Sequence, residues 1–295
     1  MIHKKPKVFV LIGYGEESQT FIRCRSLWSK YIEKHEVCFY FNTLAEDLDA
    51  GVVREIPGEI QVGVKGLMPQ DVVSSSYGEN YVWSNFERIR FLFRRIQTFK
   101  YLLEKEKDPF WVFGTTVTSA VSIKRLIGLL NHFVCTNFFG GAPIFKDIPF
   151  SERKFIIVSG ASTLMSSDLV KLTVDRSENN AWSSLDDVWN SIILSDIPRF
   201  PLMRFDFTDD NLTYPLEINK ISSQIKVALD SGYFHFRVKT GNPSIRQDID
   251  PLIIDKIFEL IDVMEKSENF DIYDAWERYA SSLSNSGSTL LEPIL

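Results

Sequence analysis

The sequence predicts an α/β fold: a mixed, largely parallel sheet flanked by helices, with a helical C-terminal segment. Three observations carry that expectation. The first third alternates short apolar runs with helical periodicity, the spacing of strand–helix–strand units. Beyond Pro251 the apolar residues Ile253, Ile257, Leu260, Ile261 and Met264 recur at helical spacing only. The composition of the 295 residues, 44% hydrophobic and 24% charged, is that of a packed soluble chain and excludes disordered, collagenous or coiled-coil architectures.

Taken in order, residues 7–12 read as a buried strand followed by the turn Gly13-Tyr14-Gly15. Residues 18–34 read as a helix whose stripe is Phe21, Ile22, Leu27, Trp28 and Tyr31, and residues 37–41 as a second strand. Residues 44–80 are glycine-rich and read as irregular. Ser84 with Glu87 matches a capping box and predicts a helix from there to about Lys105. Residues 110–113 read as a third strand ending at Gly114-Thr115-Thr116, followed by a helix over 119–133 and a turn at Gly140-Gly141. Residues 155–158 read as another strand, broken at Ser159-Gly160-Ala161 before a helix near 167–173. The spacing places one unit over 1–250. A helical extension, 251–295, packs on it.

Several function classes are disfavoured at this level. A net charge of −6, with Lys and Arg scattered, is not the signature of an electrostatic nucleic-acid binder. No apolar stretch approaches the 18 or so residues of a membrane span, and the run after the basic start is too short for a signal peptide. Cys24, Cys38 and Cys135 are odd in number and far apart, against a disulfide framework or a zinc site, so a reducing cytoplasm is expected. P-loop, nucleophile-elbow and zinc-protease motifs are absent, and four histidines make a multi-histidine metal centre unfavourable. Gly13-Tyr14-Gly15 after a strand hints at dinucleotide binding, but Ser18 replaces the third glycine.

A series of segments is more informative. Arg23 and Trp28 form R-x-x-x-x-W on the first helix; a strand ends at Gly114-Thr115-Thr116; Ser159-Gly160-Ala161 leads to Leu164 and Ser166. Asp186-Asp187-Val188 and His235 follow. In order and spacing over residues 5–240 the chain resembles the fringe-like β-1,3-glycosyltransferases, inverting enzymes of the GT-A fold that use nucleotide sugars. The chain departs from that family where its D-x-D motif would stand, because Gly114-Thr115-Thr116 offers no carboxylate to a divalent cation. Asp47-Leu48-Asp49 and Asp248-Ile249-Asp250 do not close the third strand.

The resemblance implies a GT-A-like transferase, with a nucleotide-binding half at 1–116 and an acceptor half at 117–250, that moves a sugar from a nucleotide sugar, a UDP-sugar by family habit, to a hydroxyl of an oligosaccharide or glycolipid. Asp187 would be the general base and Asp186 would orient the acceptor, although acids opening a helix also serve its dipole. Gly13, Arg23, Thr115, Thr116, His235, Arg237 and Lys239 would bind the donor; Gly160, Ala161 and Trp189 would line the acceptor site. Arg237, Lys239 and Arg246 would offset the diphosphate charge without a metal. A Mn²⁺ cofactor stays an alternative that lacks its usual ligands. Each has a structural counterpart: His235 lies among aromatics, as a core histidine would, and Arg88, Arg90, Arg94 and Arg95 read as a solvated helix flank. The implied setting is surface-polysaccharide synthesis in the cytoplasm, at the inner membrane face. The competing expectation is an inactive GT-A-like module that binds a glycan or a partner. An NAD-dependent oxidoreductase using the Gly13 turn is a third, and the oligomeric state is left open.

Overall fold

The computed structural model describes residues 5–14, 18–68, 79–147, 154–178, 186–208, 212, 216–241, 243–267 and 270–285. Among these, side chains at 79–89, 145–147, 154–156, 186–188, 243–244, 267 and 284–285 are outside the description.

Strand β1 (Lys7–Gly13) leads through α1 (Gln19–Ile32) to β2 (Cys38–Asp49). Ser18 caps α1, its hydroxyl accepting from the Phe21 N–H at 3.2 Å. A hairpin of β3 (Val53–Ile56) and β4 (Glu59–Lys65) follows, with Gly51, Gly58 and Gly66 supplying the positive φ of its turns. The stretch 44–80 is therefore not irregular throughout: β2 runs on to Asp49 and two further strands follow.

Helix α2 (Glu79–Lys105) begins before Ser84, so that residue lies inside the helix rather than capping it. It delivers the chain to β5 (Phe110–Thr116), β6 (Ser119–Val121) and α3 (Ile123–Leu130). The expected helix over 119–133 is thus shorter and preceded by a strand, with Ser122 as its cap. β7 (Phe139–Asp147) and β8 (Lys154–Ser166) form a long antiparallel ribbon, so Gly140-Gly141 lies within a strand rather than at a turn. Then come α4 (Ser167–Ser177), α5 (Asp186–Ile193), β9 (Arg199–Pro201), β10 (Arg204–Thr208), α6 (Ile218–Asp230) and β11 (His235–Lys239). Helices α7 (Pro243–Ser267) and α8 (Ile272–Asn285) complete the described chain.

The main sheet has eight strands in the order β3-β4-β2-β1-β5-β8-β7-β9. Its pairs β4/β2, β2/β1, β1/β5 and β7/β9 are parallel; β3/β4, β5/β8 and β8/β7 are antiparallel. A second sheet, β10-β11-β6, pairs β10 with β11 in parallel and β11 with β6 antiparallel. The fold is mixed α/β with a large, mostly parallel sheet, helices on both faces and helices at the C-terminus, as the sequence predicts.

Alternation along the central strands explains their continuous hydrophobicity. Val10, Ile12, Trp111 and Phe113 point into one core, shared with α1, α3, α6, α7, α8 and the second sheet. Phe9, Leu11, Phe110 and Val112 point into the other, under α2, α4 and α5. Trp28 is fully buried in the first, 5.2 Å from the Phe258 ring of α7, and Tyr31 stacks on the same ring at 4.4 Å.

Pro251 lies inside α7 and has no N–H to give the Gln247 carbonyl one turn earlier. Arg23 of α1 donates to that carbonyl at 2.9 Å and to Asp248 Oδ1 at 3.1 Å. The Arg23 of the R-x-x-x-x-W pattern therefore fastens α1 to α7 across the carbonyl that proline leaves open. Asp250, fully buried beside it, accepts from Thr240 at 2.6 Å and from Arg246 Nε at 2.9 Å. Among the described residues, no helix is long and apolar enough to cross a membrane.

Candidate functional site

β1 connects through α1 to β2 on one side, while β5 lies against its other side. The sheet therefore reverses its winding between β1 and β5, and the crevice beyond their carboxyl ends is where open α/β sheets bind ligands. The two strand ends are in register, Ile12 opposite Thr115 and Gly13 opposite Thr116, so three of the donor residues expected from sequence converge there.

What covers this edge is unexpected. Arg94 and Arg95, from α2, reach over it instead of facing solvent. Arg94 is 8% exposed and donates through Nη1 to the Tyr14 carbonyl at 2.6 Å; Arg95 Nη2 donates to the Gly160 carbonyl at 3.0 Å. Two glycines make room beneath them. A methyl on Gly13 would lie 3.5 Å from Arg94 Nη2 and 3.2 Å from the Thr115 carbonyl; one on Gly114 would lie 3.5 Å from Arg95 Nη2. The arginines, with Gly13, Asn42, Thr115 and Thr163, line a narrow cleft of about 30 Å³, room for about one water, that is partly open to solvent. The solvated-flank expectation is corrected for these two: Arg94 is buried and Arg95 half-buried, each bonded to a backbone carbonyl. Sequence offered no direct signal, because the space they fill is made by glycines some 80 residues before and 20 after.

The opposite side of the edge is built by the second sheet. His235 opens β11 and is wholly buried, with Nε2 3.2 Å from Thr115 Oγ1 and Nδ1 3.0 Å from Ser162 Oγ. Burial, with Arg204 and Arg237 nearby, pushes its pKa well below 6.5, so the imidazole is neutral: one nitrogen donates and the other accepts. Enclosed in this way, His235 has no direct route to a phosphate; it holds Thr115 and Ser162 together. Thr116 Oγ1 lies 3.0 Å from Ser119 Oγ, and Arg237 stands in register with Asp206 on β10 and Ser119 on β6. Lys239 is exposed at the end of β11, whereas Arg246 is tied to Asp250.

β8 contributes a large bulge. Thr163 pairs with Gly141 and Val158 with Pro143, so residues 159–162 stand opposite Ala142 alone. The bulge is the break expected at Ser159-Gly160-Ala161, set within one strand. It is pinned at separate points: Arg204 Nη1 donates to Ser159 Oγ at 2.7 Å, Arg95 to Gly160 and Thr163 Oγ1 to the Ser159 carbonyl at 3.0 Å. His235 meets Ser162. Arg204 is itself held by Asp206, at 2.7 and 2.8 Å to its two carboxylate oxygens. Arg204 and Asp206 were missed from sequence, although the alternation Arg204-Phe205-Asp206-Phe207-Thr208 marks a strand with one polar face.

Asp186 and Asp187 open α5, as acids of a first helical turn; their side chains lie outside the described residues. α5 packs on β8 from the face that α2 covers, and the Val158 N–H donates to Ser191 Oγ at 3.1 Å. Because α5 feeds β9, which runs parallel to β7, its first turn lies toward the carboxyl edge of the sheet. Asp187 is one helical turn before Ser191 and the bulge begins one residue after Val158. Arg237 and Lys239 approach the same edge from the other face. Trp189 does not serve as a stacking platform: it is 1% exposed in the core beneath α5 and offers no ring face to a sugar.

Among the described residues, those at the β1/β5 edge do not suit a divalent ion. Gly114, Thr115 and Thr116 supply no carboxylate, both threonine hydroxyls have protein partners, and two guanidinium groups stand over the cleft. Among the described residues, no group of three or more His, Cys, Asp or Glu is placed to hold a metal.

No family model matches the sequence, and no curated protein matches it. Among solved structures, the chain is similar to a glycosyltransferase involved in the glycosylation of the major capsid of PBCV-1, at 11% identity and a TM-score of 0.41. The match covers 84% of this chain and 100% of that one.

Proposed function

We propose that the chain is an inverting glycosyltransferase that takes a sugar from a nucleotide sugar, a UDP-sugar in the first instance, to a hydroxyl of a saccharide or glycolipid. The observation that carries the reading is the convergence at one sheet edge of the β1/β5 crevice, the pinned bulge at 159–162 and the acid-bearing start of α5. A nucleotide diphosphate would lie in the crevice by Gly13, Thr115 and Thr116, and the acceptor would approach over Gly160 and Ala161. In this reading Asp187 takes the proton of the acceptor hydroxyl as its oxygen attacks the anomeric carbon, and Asp186 orients that hydroxyl. The bond to the diphosphate breaks and the diphosphate leaves with the electron pair, so configuration inverts. Cationic side chains, not a bound ion, offset the charge that develops on it.

The setting we propose is the synthesis of a surface polysaccharide or another glycan, in the cytoplasm or on the inner membrane face. The loss of the acidic triplet, with Gly114-Thr115-Thr116 in its place, is the observation that favours a second reading, a non-catalytic module that binds a glycan or a partner. A thermal-shift panel of UDP-, GDP-, CMP- and dTDP-sugars, with Mn²⁺ and with EDTA, separates the two. A stabilising donor followed by acceptor-dependent release of its nucleotide supports the transferase. No stabilisation by any donor under either condition sinks it.

A further inference from the structure

We propose that Asp206 recognises the sugar carried by the donor, its carboxylate accepting hydrogen bonds from that sugar's hydroxyl groups; this rests on the transferase reading above. The second sheet has one apolar and one polar face. Phe205, Phe207, Phe236 and Val238 point into the first core. Alternation therefore turns Arg204, Asp206 and Thr208 of β10, with His235, Arg237 and Lys239 of β11, the other way. That polar face meets the carboxyl edge of the main sheet, since Arg204 donates to Ser159 and His235 lies against Thr115 and Ser162. Exposure rises along it: the Arg204 side chain is 7% exposed and His235 is buried, whereas the Asp206 side chain is 41% exposed and Lys239 is exposed. Among the described residues, Asp206 is the single carboxylate on this face.

Its place is the one a transferred sugar needs. Strand pairing sets Asp206 beside Arg237 and Arg237 beside Ser119, whose hydroxyl lies 3.0 Å from that of Thr116 at the end of β5. Two strand spacings, about 10 Å, therefore separate Asp206 from the strand end where the diphosphate would leave. Arg204, two residues back on the same face, ties it to the bulge over which the acceptor would come. The carboxylate is already in position, because Arg204 Nε and Nη2 hold its two oxygens at 2.7 and 2.8 Å in a bidentate pair. An acceptor fixed before its ligand arrives loses little freedom on binding. Water meets the exposed flank of the side chain, and sugar hydroxyls take its place there through charge-assisted hydrogen bonds. Asp206 moves no proton in this scheme. Asp187 remains the base, and Asp206 only accepts from hydroxyl groups that do not react.

The test is calorimetry of the full chain with UDP, UDP-glucose, UDP-galactose and UDP-N-acetylglucosamine, on the native protein and on Asp206→Asn. The substitution is expected to weaken the preferred donor by about tenfold or more, the loss of a charge-assisted hydrogen bond, while leaving UDP unchanged. Equal weakening of donor and UDP, or of neither, overturns the proposal, as does a native chain that binds UDP and none of the three donors. Because Asp206 also holds Arg204, deoxy analogues of the preferred donor, each lacking one hydroxyl, repeat the test without touching the fold. One analogue should lose about the same factor on the native chain and nothing further on the variant; additive losses for every analogue deny the contact. Sugar transfer by the native chain keeps the two readings apart. Transfer with donor binding untouched by Asp206→Asn overturns Asp206 and leaves the transferase standing. Donor binding lost selectively in the variant, with no sugar transferred to any acceptor, keeps Asp206 as a sugar contact and removes the transferase.

Discussion

His235 links acidity to stability in a way that can be calculated. Its imidazole is fully enclosed, near two arginines, and stays neutral in the folded chain at pH values where an unfolded histidine, titrating near 6.5, has taken up a proton. A folded state that binds fewer protons loses stability as pH falls: the contribution is complete above 6.5 and declines below it, until the depressed folded value is reached. Protonation favours the unfolded state by RT ln(1 + 10^(6.5−pH)), about 0.2 kcal/mol at pH 7.0 and about 1.4 kcal/mol at pH 5.5. Urea unfolding of the native chain and of His235→Gln at both values isolates this group, since His35 and the carboxylates are common to both. The stability gap between the two proteins should shrink by about 1.3 kcal/mol on going from pH 7.0 to 5.5. An unchanged or wider gap would refute the neutral, buried imidazole and the bridge it makes between Thr115 and Ser162.

Other outcomes follow from the site and the helix pair. Gly141→Ala puts a methyl 1.8 Å from the Ser162 carbonyl oxygen and 2.4 Å from Val158 Cγ1, so the bulge must move; urea unfolding should show a loss of about 1–3 kcal/mol. If Arg23 serves the carbonyl that Pro251 leaves open, restoring an N–H with Pro251→Ala should make Arg23→Met cheaper. The double-mutant cycle should give a coupling of about 0.5–1.5 kcal/mol, and strict additivity would deny the link. In the transferase reading, Asp187→Asn should cut transfer by about 100-fold or more while donor affinity, measured by calorimetry, holds. Equal loss of both would make Asp187 a structural acid.

The parts of this fold legible in the sequence are those whose signal is local. β1 and α1 come within two residues of their expected ends because a dense apolar run and a capped, periodic stripe each act over a few neighbours. The hairpin β3–β4 was hidden by its glycines, which look like loop residues one at a time. Gly63, however, sits mid-strand because a methyl there would lie 2.2 Å from the Asp49 carbonyl, a contact formed only after the strands pair. Gly140 and Gly141 misled for the same reason: strand and bulge, not a turn, demand their smallness. β6 has three residues, too few for a period of two to show, and exists because β11 borders it. At the site, the order Gly13, Thr115, Thr116 was visible, while the arginines above them were not, since arginines on a solvated flank and arginines bonded to backbone carbonyls have the same sequence pattern. Trp189 shows the converse: beside the acidic pair it looks functional, yet it is a core residue.

The dependence of α1 on α7 has a consequence for biosynthesis. The ring that shields Trp28 and Tyr31, Phe258, and the carboxylate that receives the Tyr31 hydroxyl, Glu265, are translated more than 200 residues after them. Over that interval the nascent chain carries a sticky aromatic surface without its α7 cover, the condition under which chaperones are recruited. A stop codon near position 250 would make that exposure permanent, and its product should be cleared or aggregate instead of persisting as a shorter folded form.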